Sequence, residues 1–161
     1  GWQAYSFAQA KKASSINEDL TVEDLRSTIF KEAEKYGLDI IIPNFLSNSG
    51  AIAHYDFDKD IVVWSAGVNF TTEQSSLLGL NYKEFVRIVL AHEAGHRATP
   101  NIKDKASKLS SLFITNNHVD LEEQAWKHGR EFIRQHGIVL RLKYELFNMI
   151  NIATYKKQVV F

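Results

Sequence analysis

The 161-residue chain has no cysteine, which excludes disulfides and thiolate metal sites outright. Any metal it holds must be gripped by imidazole and carboxylate groups. The same absence is compatible with either redox compartment. Two prolines and eight glycines are too few for a disordered or collagen-like chain. Net charge is also missing: 19 basic side chains balance 19 acidic ones. That balance gives no reason to expect nucleic acid or a membrane as a direct partner. No apolar run reaches the ~18–20 residues that a membrane span needs. No basic-then-apolar leader opens the chain, so a cytoplasmic location is expected. Gly1 in place of an initiator methionine leaves a processed end open. What is present is 45% apolar residues, enough to bury a core in one domain over residues 1–161.

The pattern along the chain predicts an α+β layout. A helix is expected from Val22 to Tyr36, capped by Thr21 with Asp24 and stopped by Gly37. Leu25, Ile29 and Ala33 share one face, with Phe30 beside them. Leu38 to Ile42 reads as a strand ended by Pro43, followed by the polar loop Asn44 to Gly50. Ala51 to Phe57 and Ile61 to Ser65 read as two more strands around a hairpin loop at Asp58-Lys59-Asp60. Together they predict a small, mainly antiparallel sheet of about three strands packed with helices. Thr71 to Gln74 suit the cap of a short helix ending near Gly79. Asn81 and Glu84 form a capping-box pair ahead of a helix that runs through His96 and ends before Pro100. Residues 102–115 suit either a linker or a modest helix. A further helix is expected from about Asn117 to Gln135, with Gly137 as its stop. Leu142, Leu146, Met149, Ile150 and Ala153 mark the apolar face of a last helix.

His92-Glu93-Ala94-Gly95-His96 is an HExxH sequence. Residues four apart lie one above the other on a helix, so His92 and His96 can bind one Zn²⁺ together. Glu93 lies about 100° round the helix from His92. It can reach a metal-bound water without ligating the metal, the position a general base needs. Phe85, Ile88, Val89, His92 and His96 follow helical spacing, so the imidazoles continue an apolar face inward. Gly95 in mid-helix costs roughly 1 kcal/mol against alanine. Close approach of another backbone, or of substrate, would offset that cost. The plain alternative is a helix whose histidines are ordinary core or surface groups.

A catalytic zinc site needs a third protein ligand. Arg97-Ala98-Thr99-Pro100 lacks the Gly and His that the extended metzincin pattern requires, which excludes that class. A carboxylate from a later helix is the other common solution, and Asp120-Leu121-Glu122-Glu123 offers one. Glu122, Ala125, Gly129, Phe132 and Ile133 lie along one stripe. Glu123 aligns instead with Lys127 and Arg130, a solvated face with i,i+4 charge pairing. A glutamate on a stripe of apolar and small residues is costly unless partnered, and an ion would be its partner. Glu122 is therefore the first candidate, then Glu123 and Asp120. His118, His128 and Asp104 stand as the alternative in which both glutamates face solvent.

At these residues the chain resembles the ImmA/IrrE-type metallopeptidases, gluzincin-like proteins of bacteria and mobile elements. The resemblance rests on Phe85 to Ala91 leading into His92-Glu93-Ala94-Gly95-His96, then Glu122-Glu123-Gln124-Ala125, and covers roughly residues 22–136. It implies a zincin-like fold and one zinc held by His92, His96 and Glu122, with Glu93 as the general base. It also implies cleavage of a protein substrate, often a helix-turn-helix repressor. Where the family often has Asp or Asn four residues after the ligating glutamate, this chain has Trp126.

The leading expectation is a single-domain zinc metallopeptidase, its substrate a protein or peptide such as a repressor-type regulator. The alternative is a binding or regulatory module, encoded for example by a phage, that keeps the metal scaffold without turnover. A metal site closed by a fourth side chain, His118 or His128, would favour the module. A metal-free α+β domain is the third reading. The Ala51–Phe57 strand could hold an extended substrate by its edge. His54 and Tyr55 could face a cleft. His118 could donate to the reaction's oxyanion. Arg97 is expected to form a salt bridge. Trp64 and Trp126 belong to the core, and Lys103, Lys105 and Lys108 to a solvated face.

Overall fold

A computed structural model of the chain describes residues 21–43, 52–65 and 76–159. Within them lie five α-helices and three short strands. Helix α1 (Val22–Lys35) opens on a capping box: Asp24 N–H donates to Thr21 Oγ1, and Thr21 N–H donates to the Asp24 carboxylate, both at 3.1 Å. Gly37, at φ +70°, ends it in the left-handed region, where glycine is at no steric disadvantage. Strands β1 (Ile40–Ile41), β2 (His54–Asp56) and β3 (Ile61–Val63) form one sheet in the order β1-β3-β2.

That sheet corrects the antiparallel expectation. β2 pairs antiparallel with β3, as a hairpin must, but β1 pairs parallel with β3. β1 is also only two residues long, with Leu38 and Ile42 buried on either side of it. In the hairpin turn, Asp56 Oδ1 accepts from the N–H groups of Asp58 and Lys59, each at 3.0 Å. The expected loop at Asn44–Gly50, Ala51 and the cap at Thr71–Gln74 lie outside the described residues.

Helix α2 (Tyr82–Ala98) carries the HExxH sequence and opens on the Asn81–Glu84 capping box. Ile102–Ser107 form the short helix α3. Helix α4 (Asn116–Ile133) continues as a 3-10 turn to His136 and stops at Gly137, φ +92°. Helix α5 (Ile138–Gln158) lies antiparallel on α4. Tyr144 Oη donates to Trp126 O, Trp126 Nε1 and Arg130 bind Glu145, and Lys156 reaches Glu123, nearer the start of α4.

The core gathers Ile29, Val62, Trp64, Phe85, Ile88, Leu90, Ile133 and Tyr144. Two expected faces are corrected. Phe30 is exposed, and the buried face of α1 is completed by Glu32. Glu32 is held by Arg87 Nε and Lys35 Nζ, each at 3.2 Å, which ties α1 to α2. On α5, Leu142, Leu146 and Met149 are exposed, and the helix buries Leu140, Tyr144, Phe147, Asn148 and Ile152 instead. Polar anchoring to α2 and α4 sets its rotation, so one apolar stripe is left outside. No helix of the described residues is long and apolar enough to cross a membrane.

Candidate metal centre

The site exists because α2 and α4 cross backbone to backbone. A Cβ placed on Gly95 would stand 2.0 Å from Ala125 O and 2.7 Å from Gly129 N. One placed on Gly129 would meet Ala91 O at 2.4 Å and Tyr144 Oη at 2.3 Å. The two glycines thus open a contact that no larger residue permits, and this offsets the helix propensity lost at Gly95. The crossing lies one residue from His96 and three from Glu122, so it fixes the distance between the histidine pair and the carboxylate.

At that crossing the side chains of His92, His96 and Glu122 converge. One ligating atom from each lies within 4.8 Å of the others. Glu122 Oε2 is 2.5 Å from His92 Nε2 and 3.4 Å from His96 Nε2. Each side chain keeps 11–17% of its surface exposed, so the cluster is open to solvent on one side. The last helix completes it. His92 Nδ1–H donates to Asn148 Oδ1 at 2.6 Å, while Asn148 Nδ2 donates to Tyr144 O at 2.9 Å. That second bond fixes which end of the Asn148 amide faces the ring, and so reserves Nε2 for the cluster.

The electrostatics follow from this packing. Burial pushes His92 down, but the Glu122 charge and hydrogen bond outweigh it and lift the imidazole to about 9. Burial pushes Glu122 up, and the His96 and His92 charges outweigh it and hold the carboxyl well below its usual range. His92 Nε2 and Glu122 Oε2 are held within hydrogen-bond distance of each other.

Glu93 is buried, and burial raises its carboxyl above the usual range, against the opposing pull of His96 and His92. Its Oε2 has no hydrogen-bond partner. An orphaned carboxylate oxygen beside two imidazoles and a carboxylate fits a site built around a cation and its water. The Tyr55 backbone on β2 also bonds Glu93. Strand β2, at the edge of the sheet among the described residues, is therefore laid against the same carboxylate.

Comparison with known proteins finds no matching family model, no matching curated protein and no matching solved structure.

The sequence-based candidates separate cleanly in space. His92, His96 and Glu122 meet, with Glu93 alongside. Glu123 is exposed, but its partner is Lys156 of α5 at 3.5 Å, not Lys127 or Arg130. Asp120 is exposed, and Asp104 pairs with Lys108. Nδ1 of His118 accepts from Thr115 N–H at 3.0 Å, capping α4. Neither His118 nor His128 belongs to the cluster. His54 is exposed. Arg97 forms its expected salt bridge, with Asp60, and donates to Gly37 O. Trp126 is partly buried against the core, and Lys105 is half-buried where a solvated lysine was expected.

Two residues escaped the sequence reading, Asn148 and Tyr155. A lone asparagine between Phe147 and Met149 was the available signal for the first. The Tyr155 phenol is raised chiefly by the Glu122 charge, then by burial, the Glu93 charge and hydrogen bonding to Glu122.

Proposed function

We propose that the chain is a zinc-dependent metallopeptidase of the HExxH-plus-glutamate type, similar to the ImmA/IrrE-type enzymes and acting on a protein substrate in the cytoplasm. The observation that carries this reading is the buried Glu93, with one carboxylate oxygen unpartnered, beside the His92–His96–Glu122 cluster. Two imidazoles and one carboxylate suit Zn²⁺, which when bound would lower the pKa of a water and polarise the carbonyl under attack.

The chain's own residues supply the rest. Asn148 keeps the proton on His92 Nδ1 and so presents Nε2 as a lone-pair donor. Glu93, with its raised carboxyl, takes the proton of the attacking water and gives it to the leaving amine. Edge strand β2 offers backbone groups to an extended substrate next to Glu93. The zincin-like character of the fold belongs to this proposal, as does the choice of a repressor-type substrate.

Metal quantification on wild type, Glu122→Ala and His96→Ala tests the ligand set. Wild type should hold one zinc, and both variants should lose it. Glu93→Gln should keep the zinc and lose about 10²–10⁴-fold in cleavage rate. If Glu122→Ala binds zinc as tightly as wild type, the ligand assignment is wrong. If Glu93→Gln still cleaves, Glu93 is not the base.

A further inference from the structure

Arg97 comes four residues after Glu93, so the two side chains leave the same face of α2, about 6 Å apart along its axis. Both reach the hairpin. Glu93 bonds the Tyr55 backbone of β2, and β2 packs directly on α2. One turn further on, the Arg97 guanidinium grips Asp60, with Nε donating to Oδ1 at 3.0 Å and Nη2 to Oδ2 at 3.4 Å. Its remaining arm, Nη1, donates to Gly37 O at 2.6 Å, just past the end of α1. Asp60 Oδ1 also accepts from Tyr55 Oη at 2.7 Å. Tyr55 is therefore tied to α2 twice: by its backbone at Glu93, and by its phenol, through Asp60, at Arg97. Two ties one turn apart fix the angle of a strand as well as its distance. A single tie would leave it free to swing.

Stability does not account for this arrangement. The Arg97 and Asp60 side chains keep 43% and 52% of their surface exposed, and an ion pair so exposed contributes little to folding. What the ties hold is the strand. β2 lies at the edge of the sheet among the described residues, and the peptidase reading assigns its backbone groups to an extended substrate. The chemistry at both ends is specific. Asp60 sits at φ +55°, a conformation that suits Asp or Asn better than most side chains. A lysine at 97 would keep the charge but lacks the planar fork that serves Asp60 and Gly37 together.

We propose, resting on that reading, that Arg97 is a positioning residue: through Asp60 and Tyr55 it sets the angle at which β2 presents an extended polypeptide to Glu93. The substrate class that follows is a chain unfolded over enough residues to lie along β2. A substrate that does not reach the strand gains nothing from the tie.

The test uses the full zinc-loaded chain, with Arg97→Lys, Asp60→Asn, the double variant and Tyr55→Phe, and Glu93→Gln as control. Cleavage of unfolded casein gives kcat and KM, chelator competition gives zinc affinity, and urea melts give the midpoint. Arg97→Lys and Asp60→Asn should each raise KM about tenfold and hold kcat within about twofold of wild type. The double variant should be no worse than the worse single, because both cut the same tie. Tyr55→Phe, which removes one O–H and leaves the strand intact, should raise KM about threefold. Zinc affinity and urea midpoint should stay at their wild-type values in all four. If KM is unmoved in every variant while Glu93→Gln abolishes cleavage, the proposal is overturned and the peptidase reading stands. If the midpoint or zinc affinity falls while KM holds, the contacts serve the fold alone, and the proposal is overturned as well. If wild type does not cleave casein, the peptidase reading itself fails and takes this proposal with it.

Discussion

Replacing Gly95 by alanine should destabilise the protein, although alanine is the better helix former by about 1 kcal/mol. The new Cβ would stand 2.0 Å from Ala125 O, about 1.4 Å short of the 3.4 Å at which ordinary contact begins. The obstacles are backbone atoms of Ala125 and Gly129, so no side chain can swing away. α2 and α4 must therefore part. Overpacking of this kind costs about 1–3 kcal/mol, and the upper end applies where backbone meets backbone. The net loss should be about 2 kcal/mol, read as a lower urea midpoint of the metal-free protein with an unchanged m-value. Zinc affinity should fall further, by at least about 100-fold in chelator competition, because ligand distances tolerate only about 0.2 Å. The displacement falls on His96, the next residue. A Gly95→Ala protein that is more stable than wild type by about 1 kcal/mol, with zinc affinity intact, would refute this account of the crossing.

Three further outcomes follow from the same contacts. Asn148→Ala should weaken zinc binding about 10–100-fold by freeing His92 to rotate, measured by the same competition; an unchanged affinity would remove its positioning role. The pH response should reverse sign with metal. His92, raised to about 9 in the metal-free protein, adds stability that is complete below its ordinary value near 6.5 and lost as pH climbs through 9. Zinc must displace that Nε2 proton, so its affinity should instead rise over the same interval, with about one proton released per ion in calorimetry at neutral pH; no proton release would contradict it. Arg87→Ala should cost about 3 kcal/mol in denaturant melts, the low end for an unpaired buried charge, because Lys35 still contacts Glu32; a loss below about 0.5 kcal/mol would show the pair to be idle.

Local chemistry made much of this legible from sequence. The Thr21–Asp24 and Asn81–Glu84 boxes, and Gly37 and Gly137 at positive φ, mark helix ends through interactions within a few residues. Glu122 was separable from Glu123 because one shares a stripe with Ala125 and Gly129, and that stripe is the one that packs on α2. Partner choice was not legible. The parallel β1–β3 pairing depends on where the chain returns after a long connection. The rotation of α5 was misjudged because its sequence offers two apolar faces. The polar residues Asn148, Tyr144 and Glu145 decide between them, each by a bond to another helix. Asn148 was missed for the same reason: its partner His92 lies 56 positions away in the chain.

The bond between Asn148 and His92 also constrains when the centre can come into being. A nascent chain that has made α2 alone holds two imidazoles with nothing to aim them, and adding α4 brings the carboxylate but leaves His92 free to turn. Only the docking of α5 locks the ring. Tight ion capture should therefore report the docking of α5 and not the earlier pairing of α2 with α4.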